Sequence, residues 1–380
     1  MDPRARFHLG KPLLYWLPVA AVLALIGWSK TINLLLLLGY LMLALCGVNT
    51  VLAWRMVRRV AGQRRDSPPV FAGERFVHTV DVRNPTRRGA AVRVADEADG
   101  QVGDWFLAPL PGGESAVLRV PWSFPKRGRY AVGPLVVESE YPFGLVRWAR
   151  DLQPATGICV LPAVGVVGVE SLRRWLIRAG GGEGRTRRPA RRPTPGLGDV
   201  RGVRPYRMGD SPRDIHWKTT ARRNQLVVRE YDQTDPLNLV LILDPWLPAG
   251  AAPEQRAALE WALAVAVSIG WAWAVADEPG DLTLAIPGTP PEVHTARAST
   301  AFVRQAFAAL ADVAGSEAVP TVPLSAVRAG AMRTARLVVS SRPNSPLAAA
   351  LLSGGLPTAS VDPSAAPRWY RPAVPSPAAG

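Results

Sequence analysis

Two carboxylates and a histidine lie close together in the most charged part of the chain. Asp210 and Asp214 are four positions apart, and His216 follows them. Paired carboxylates beside an imidazole can act as general acid and general base, so the spacing allows a hydrolase-like enzyme. The segment Gly196–Asp232, however, also carries eight Lys and Arg side chains. Because neighbouring cations keep carboxylates ionised, we expect a structural ion-pair network and no catalytic site, with the enzyme as the alternative.

No recognised motif for a nucleophile or a nucleotide accompanies these residues. The chain contains no GxSxG elbow, no P-loop, no GxGxxG fingerprint and no HExxH zinc motif. Its two cysteines, Cys46 and Cys159, lie far apart and in no Cys/His cluster, which argues against a zinc site or a disulfide framework. The sequence therefore predicts a protein without a metal ion or other cofactor.

The acidic pair is expected at the start of a helix. Ser211 can cap the helix, Pro212 suits its first position, and Asp214 completes a pattern that resembles a capping box. The helix should run to about Arg223 and end at Asn224, which tolerates the left-handed conformation.

A strand is expected after this helix, from Leu226 to Tyr231, because its residues alternate in polarity. Ile215, Trp217 and Ala221 are expected to dock the helix. The cations expected within reach of the acidic side chains Asp199, Asp210, Asp214 and Glu230 are Arg207, Arg213, Lys218, Arg222 and Arg229.

The residues of this segment follow an order typical of one family. The motif Arg204-x-Tyr206-x-x-Gly209-Asp210-x-x-Arg213-x-Ile215-x-Trp217 is followed by Thr220-Ala221-Arg222 and Leu226-Val227-Val228-Arg229-Glu230. Upstream stand Arg127-Gly128-Arg129-Tyr130 with Gly133-Pro134, and Pro142-Phe143-Gly144-Leu145 followed by Leu161-Pro162. Together these motifs resemble the signature of the domain-of-unknown-function 58 family, over about residues 10–245.

The resemblance implies an N-terminal membrane hairpin, a β-rich region and a C-terminal half similar to von Willebrand factor A domains. Members of this family are commonly associated with MoxR-type AAA+ ATPases and transglutaminase-like membrane proteins, and no enzymatic activity is established for them. An accessory or assembly role is therefore implied. The candidate motif and partner-binding residues are Arg204, Tyr206, Arg207, Gly209, Asp210, Arg213, Asp214, Trp217, Arg222, Arg229 and Glu230.

Two uncharged apolar runs, Leu13–Trp28 and Thr31–Trp54, predict a transmembrane hairpin within residues 1–66. Its spans are expected at about residues 9–28 and 31–54, long enough for a hydrocarbon core of about 30 Å. Basic residues lie before and after the pair, against a single Lys30 in the connecting turn. This asymmetry predicts that both termini, and everything after the hairpin, lie in the cytoplasm.

The charge of the chain is concentrated in its N-terminal part. The net charge of the chain is +15. The first 236 residues contain 36 Lys and Arg and 20 Asp and Glu, whereas residues 237–380 contain nine Lys and Arg and ten Asp and Glu. Arginines beside the apolar hairpin can contact anionic lipid, so the lipid bilayer accounts for part of this excess. In the arginine-rich segment Arg173–Arg192, Trp175 is the one aromatic residue among the arginines, so nucleic acid is not an expected partner.

A small antiparallel β-sandwich without chemistry of its own is predicted for residues 67–162, since about seven short runs alternate in polarity between turn residues. His78 is expected to be a packed residue on a strand face. Residues 163–195, rich in Arg, Gly and Pro, are expected to form a flexible basic linker. The alternative for this linker is a contact with lipid headgroups or an acidic partner.

Residues 196–362 are predicted to hold the motif block and a doubly wound α/β domain, led by the buried strand Leu237–Leu243. Trp261–Ala276 is expected to be a buried helix rather than a third span. A von Willebrand factor A-like domain that binds Mg²⁺ presents Asp-x-Ser-x-Ser, but Trp246 and Pro248 follow Asp244 here. We therefore expect no metal, with Asp244 as a turn or cap residue, and a disordered tail at residues 363–380.

These features predict a membrane-anchored, cytoplasm-facing scaffold or adaptor that is not an enzyme. The expected partners are the lipid bilayer, an AAA+ ATPase of the MoxR type and a transglutaminase-like membrane protein.

Overall fold

The helices and strands of this chain fall into two compact units. A computed structural model describes residues 6–179, 199–208, 210–232, 237–277, 280–288, 291–317 and 334–373. The first unit contains Met1–Val164, Phe307–Val313 and Ala373–Gly380, and the second contains Gly165–Ala306 and Ala314–Pro372.

The first unit begins with a short strand and two apolar helices. Strand β1 spans Arg6–Leu9, helix α1 spans Leu13–Ser29 and helix α2 spans Asn33–Arg59. The helices are antiparallel and approach closely, since a Cβ added at Gly39 would lie 3.0 Å from atoms of α1. Helix α2 is long and apolar enough to span a membrane, whereas α1 is a shorter apolar helix. Helix α2 also continues beyond the predicted end of the second span.

A β-sandwich follows the hairpin. Its strands are β2 (Ala61–Arg64), β3 (Val70–Phe71), β4 (Arg75–Arg83), β5 (Ala90–Ala98), β6 (Gln101–Leu110), β7 (Ser115–Ser123), β8 (Gly128–Val132), β9 (Leu135–Ser139), β10 (Val146–Gln153) and β11 (Thr156–Leu161). One sheet has the order β2-β4-β7, and the other has the order β1-β10-β9-β5-β8-β11-β3 with β6 beside β5. Apart from the parallel pair of β3 and β11, the strands are antiparallel. The predicted sandwich is confirmed, with more strands than predicted.

Alternating residues of the strands fill the space between the two sheets. Val80 and Val82 of β4 face Val92 and Val94 of β5, and all four are buried in one core. Because successive side chains of a strand point to opposite faces, the intervening residues of β4 lie on the other face of the sheet.

A charged cluster also lies inside the sandwich. Asp96 is fully buried, and its carboxylate oxygens accept hydrogen bonds from the guanidinium group of Arg64 at 2.7 and 2.8 Å. Oδ2 of Asp96 also lies 2.8 Å from Nε2 of His78, whose ring stacks on Trp122 with the centroids 4.0 Å apart. Arg64 donates further to the carbonyl oxygen of Gly133. His78 is a packed strand residue, as predicted, but its partner carboxylate was not foreseen.

The carboxyl group of Asp96 is held in its charged form. Burial alone raises the pKa of Asp96, but the hydrogen bonds and charges of Arg64 and His78 outweigh burial, so the pKa lies below its usual value. The folded protein therefore binds this proton more weakly than the unfolded chain. The contribution to stability is present above the unfolded-state pKa of about 3.9 and is lost as the pH falls through the folded-state pKa.

The sandwich also binds a helical turn that lies far away in the sequence. A 3-10 helix spans Phe307–Ala311 in the same unit. Nη1 of Arg127 donates to the carbonyl oxygen of Leu310 at 2.6 Å, and Nη2 donates to that of Val313 at 2.7 Å. The last carbonyl groups of a helix lack partners within it, so the guanidinium group satisfies them. This contact gives the upstream Arg127-Gly128-Arg129-Tyr130 motif a structural role.

The second unit is an α/β domain preceded by a hairpin. Its helices are α3 (Val169–Ala179), α4 (Trp217–Arg223), α5 (Pro253–Val275), α6 (Thr300–Ala306) and α7 (Pro346–Ser353). Its strands are β12 (Val166–Val167), β13 (Asp199–Pro205), β14 (Val227–Asp232), β15 (Asn238–Asp244), β16 (Asp281–Ile286), β17 (Glu292–Arg297), β18 (Thr334–Ser340), β19 (Ala359–Val361) and β20 (Tyr370–Arg371). The main sheet has the order β17-β16-β15-β18-β19 and is parallel except for β17. The predicted α/β character is confirmed, with a mixed sheet.

Helix α5 is the second helix that is apolar enough to span a membrane. In the most apolar 18-residue stretch of α5, 56% is buried, whereas 11% of the corresponding stretch of α2 is buried. Leu263, Ile269 and Trp273 of α5 are fully buried. These values agree with the expectation of a core helix at this position.

Two segments that were predicted to lack structure contain helices or strands in their described parts. The linker predicted at 163–195 is wrong where the chain forms β12 and α3, because Leu172 and Leu176 give α3 a buried apolar face. The tail predicted to be disordered at 363–380 contains the buried aromatic residues Trp369 and Tyr370, and β20 pairs with β12. Residues 180–195 and 374–380 of these two predictions lie outside the described residues.

We predict that Asp96→Asn lowers the free energy of unfolding by about 3–5 kcal/mol at neutral pH, because it leaves the charge of Arg64 buried without a counter-ion. Chemical denaturation of the full chain in detergent measures this loss. Asp81→Asn is the matched control, since Asp81 forms an ion pair with Arg65 at the protein surface, at 2.7 Å. The control should leave stability nearly unchanged, and equal losses for the two variants would contradict the prediction.

Candidate functional site

The motif segment folds as a β-hairpin that carries a long insertion. Strands β13 and β14 are antiparallel, with Arg204 opposite Val228. The amide of Tyr206 donates to the carbonyl oxygen of Leu226 at 2.9 Å and closes the pairing. Val227 and Val228 are both buried, and β-branched residues of this kind favour strands. The residues between 206 and 226 therefore form an insertion that is fixed at its base.

An ion pair fastens the first part of this insertion. Nη1 and Nη2 of Arg204 donate to the two carboxylate oxygens of Asp210 at 2.7 and 2.8 Å, and the backbone amide of Arg207 donates to Oδ2 at 2.8 Å. The pKa of Asp210 is lowered to about 2, mainly by the hydrogen bonds from the Arg204 side chain and secondly by the hydrogen bond from the Arg207 backbone. At neutral pH this carboxylate accepts hydrogen bonds and has no proton to donate.

The helix predicted from Ser211 to Arg223 is wrong as a single element. Pro212–Asp214 forms a 3-10 turn that the side chain of Ser211 caps. Ile215 is then extended and makes an isolated β-bridge with Val228. This bridge holds the backbone in a strand conformation and so interrupts the helix. The predicted capping box does not form.

Helix α4 begins after this bridge and is capped by a histidine. Nδ1 of His216 accepts a hydrogen bond from the amide of Thr219 at 3.2 Å. The cap requires a lone pair on Nδ1, so the proton of a neutral ring lies on the other nitrogen. The helix ends at Asn224, which has a φ of 49°, and the predicted left-handed end is confirmed.

The predicted docking of this helix is only partly correct. Ile215 is buried, but Trp217 is 65% exposed and Ala221 is also exposed. Ile215 is extended and lies before the helix, and Trp217 is the first residue of the helix.

Several cations within six positions of Trp217 in the sequence are exposed. We call them, together with the indole, the basic–aromatic surface. It consists of Arg213, Trp217, Lys218, Arg222 and Arg223, all of which are exposed.

Among the described side chains, one ion pair of the predicted network is present. Arg204 pairs with Asp210, and Arg207 contributes its backbone amide instead of a predicted salt bridge. Arg213, Arg222 and Arg229 are exposed. Gly209 and the side chains of Asp199 and Glu230 lie outside the described residues.

The three candidate acid–base residues, Asp210, Asp214 and His216, have separate contacts. Asp210 is held by Arg204, and His216 caps α4. Within the part of the chain that the structure describes, no hydrogen bond or ion pair joins Asp214 to either of them.

A second polar cluster lies where parallel strands β15 and β18 end. Asp244 is fully buried, and its Oδ2 accepts hydrogen bonds from Oγ of Ser345 at 2.5 Å and from Oγ of Ser340 at 3.0 Å. Nε of Arg342 lies 3.5 Å from the same oxygen, and its guanidinium carbon lies 5.2 Å from the ring centroid of Trp246. The prediction that Asp244 is a turn or cap residue is wrong, because it ends a strand and Ser345 caps α7.

This second cluster occupies a topological switch point. After β15 the chain passes through α5 to β16 on one side of the sheet, and after β18 it passes through α7 to β19 on the other side. Crevices at such points commonly bind ligands in α/β proteins.

The residues of the second cluster do not fit a divalent cation. Mg²⁺ and Ca²⁺ require about six oxygen ligands, and the cluster offers one carboxylate and a few hydroxyl groups. Arg342 already brings a positive charge to that carboxylate. Among the described residues, no three His, Cys, Asp or Glu side chains are grouped so that they could hold a metal ion.

A family model matches the region that contains the hairpin. Residues 202–341 match the family described as "Protein of unknown function DUF58". Residues 202–341 are a DUF58 domain. The DUF58 domain contains the ion pair of Arg204 with Asp210, the basic–aromatic surface and the buried Asp244, while Arg342 and Ser345 follow its last matched residue. Among curated proteins, none matches the chain.

Two solved structures are similar to part of the chain. They are a solution structure and a crystal structure, the latter in complex with di-metal ions, of the CARDB domain of a Pyrococcus furiosus protein. Their sequences are 16% and 15% identical to the matched part of this chain, and each match has a TM-score of 0.21. Each match covers 27% of this chain, and the two matches cover 94% and 87% of the solved chains.

Sequence reasoning missed the residues that surround Asp244. The apolar run before Ser340 predicts a strand from Arg336 to Ser340, and Arg342 and Ser345 follow it. The carboxyl ends of neighbouring parallel strands meet at one edge of a sheet. This placement at the sheet edge was the signal in the sequence that pointed to these residues.

We predict that Arg342→Met lowers the free energy of unfolding by about 3–5 kcal/mol, because the carboxylate of Asp244 then remains buried without a positive partner. The double variant Asp244→Asn/Arg342→Met should be more stable than Arg342→Met alone, since it removes both charges. Denaturant titration of the four proteins of this cycle measures the coupling. Purely additive losses would show that the two side chains do not interact.

Proposed function

We propose that this DUF58 chain is a membrane-anchored, non-enzymatic adaptor that faces the cytoplasm and offers its basic–aromatic surface to an acidic partner protein. The observation that carries this proposal is the exposure of Trp217 among four cations. Tryptophan and arginine are enriched among the residues that dominate binding energy at protein interfaces. An exposed indole on a hairpin that is fixed at its base suits such a contact.

The proposed membrane anchor is the hairpin of α1 and α2. Large apolar side chains are exposed along both helices, among them Leu25, Leu34 and Leu37. Only 11% of the most apolar 18-residue stretch of α2 is buried, so the described part of the protein leaves this surface largely uncovered. Basic residues before α1 and at the end of α2 support a cytoplasmic location for both termini.

The proposed partner is an AAA+ ATPase of the MoxR type, with a transglutaminase-like membrane protein as a further member of the complex. The family resemblance is the reason for naming these classes. The charge of the hairpin region supports an acidic counterpart, because Gly196–Asp232 carries eight basic and five acidic side chains. The parallel core of the main sheet supports a von Willebrand factor A-like domain as the body that presents this surface.

The non-enzymatic part of the proposal is supported by the contacts of the acid–base candidates. Asp210 stays ionised because Arg204 lowers its pKa to about 2, and an acid of that strength transfers protons poorly at neutral pH. His216 uses Nδ1 as a helix cap. These contacts favour the structural interpretation over the hydrolase-like alternative.

A pull-down from solubilised membranes tests the partner. The full chain should recover an ATPase or another membrane protein, and Trp217→Ala with Arg222→Glu should reduce recovery by about 30-fold or more, as expected for the loss of a hot-spot residue. Phe106→Ala is the control, because Phe106 is an exposed aromatic residue of the sandwich. If the wild-type chain recovers no membrane partner, the adaptor proposal is wrong.

The hydrolase-like alternative is tested by replacing Asp210, Asp214 and His216 together with alanine. The structural interpretation predicts a lower melting temperature, because the ion pair and the helix cap are both removed. The enzyme alternative predicts an unchanged melting temperature with loss of hydrolysis of a generic ester or phosphate substrate by the wild-type chain. The second result would overturn the adaptor proposal.

A further inference from the structure

A buried amide interrupts the apolar surface of α2. Asn49 is fully buried, and its Oδ1 accepts hydrogen bonds from the amides of Phe143 and Leu145 at 3.1 and 3.2 Å. Its Nδ2 donates to the carbonyl oxygen of Val146 at 3.3 Å. These three partners belong to the turn between β9 and β10 and its continuation. A buried amide that loses its hydrogen-bond partners lowers the free energy of unfolding, so the three bonds of Asn49 hold this turn against the helix.

The same turn contacts the start of α1. Leu13 forms one buried cluster with Leu145 and Val146. A Cβ added at Gly10 would lie 2.5 Å from the carbonyl oxygen of Leu145, so the chain before α1 also lies against the turn. Further along α2, Met56 belongs to the core of the sandwich. The base of the apolar hairpin is therefore built into the sandwich.

The part of the hairpin that projects from this base is short for a bilayer. Helix α1 has 17 residues, which is about 25 Å at 1.5 Å per residue. The segment Asn33–Asn49 of α2 has a similar length. A typical hydrocarbon core is about 30 Å thick, so about 5 Å remains to be covered by the base of the hairpin or by thinning of the bilayer.

Aromatic side chains are exposed at this base. Phe143 is 50% exposed and Tyr141 is 45% exposed, in the turn that Asn49 holds. The acidic residue beside them, Glu140, is paired with Arg147 at 2.5 Å, so its charge is compensated. Aromatic rings beside an apolar helix are typical of the membrane–water interface.

We propose that the turn from Tyr141 to Gly144 is a second membrane contact, seated in the headgroup and upper acyl region of the bilayer. This inference rests on the proposed membrane anchorage. Asn49 fixes the turn to the hairpin, so the sandwich is held at the membrane surface in one orientation. The lipid surface is the partner because the turn continues the exposed apolar surface of the hairpin, and Phe143 supplies the shallow apolar insertion that the short helices lack.

Depth-dependent fluorescence quenching tests this proposal on the full chain in phosphatidylcholine vesicles with an anionic lipid. A polarity-sensitive label is attached to Phe143→Cys, Leu37→Cys or Val102→Cys, after replacement of Cys46 and Cys159 by serine. Leu37 is exposed on the hairpin and reports membrane insertion. Val102 is exposed on the sandwich and lies opposite Glu97 of β5. At the other end of β5, the carbonyl oxygen of Ala91 accepts a hydrogen bond from Ser139, which precedes the turn. Glu97 is six positions from Ala91 along the strand. Val102 therefore lies about 20 Å further along the sandwich.

Lipids with a nitroxide near the headgroup should remove about half of the fluorescence at position 143 and almost none at position 102. Lipids with a nitroxide deep in the acyl chain should quench position 37. If position 37 is not quenched, the membrane anchorage itself is wrong. If position 37 is quenched and position 143 behaves like position 102, only the second contact is wrong, and the bilayer accommodates the short hairpin in another manner.

Asn49→Leu provides a second measurement. The variant keeps the apolar hairpin but removes the three hydrogen bonds to the turn. Quenching at position 143 should fall by at least about two-fold, while quenching at position 37 should remain, because insertion of the helices depends on their apolar surface. Unchanged quenching at position 143 would show that Asn49 does not set the depth of the turn.

Discussion

A charged carboxylate inside the β-sandwich constrains most of the first unit. Asp96 is fully buried, and a charge there is tolerated only when it is neutralised and hydrogen-bonded. Arg64 from β2 and His78 from β4 supply these contacts from the opposite sheet. Strand β2 follows directly from α2, so the residue that neutralises Asp96 also determines where the apolar hairpin joins the sandwich. A shift of β2 by one residue would turn Arg64 to the other face and leave the carboxylate unpaired.

Polar side chains connect distant segments elsewhere in the chain by satisfying buried groups. Asn49 bonds to the backbone of the turn that follows β9, and Arg127 bonds to the final carbonyl groups of a 3-10 helix. In the second unit, Asp244 gathers the loop after β18 around its carboxylate. Removing one partner of such a contact leaves a buried polar group or charge unsatisfied, which lowers the free energy of unfolding. These contacts therefore favour one arrangement of the connected segments over others. The cations beside Trp217 differ from these residues in being exposed.

Much of the fold could be predicted from local patterns, and less of the candidate site could be. Alternating residues such as Val80 and Val82 indicated the sandwich, and the apolar run Leu237–Leu243 indicated a buried parallel strand. The single helix predicted from Ser211 to Arg223 was wrong because the bridge between Ile215 and Val228 ends the turn that Ser211 caps. Composition also misled at α3 and at Trp369, since a few buried apolar side chains order segments that otherwise look like linkers.

The sequence by itself determined the apolar hairpin, the alternation of strands, the buried parallel strands and the family motif, because each depends on residue types at short, regular spacing. Only the tertiary structure decided which polar residues are paired, buried or exposed. His78 meets Asp96 across 18 positions, Asn49 meets Val146 across 97, and Asp244 meets Arg342 across 98. Hydrogen bonds depend on distances of about 3 Å in space, and no local pattern specifies a partner that lies so far away along the chain.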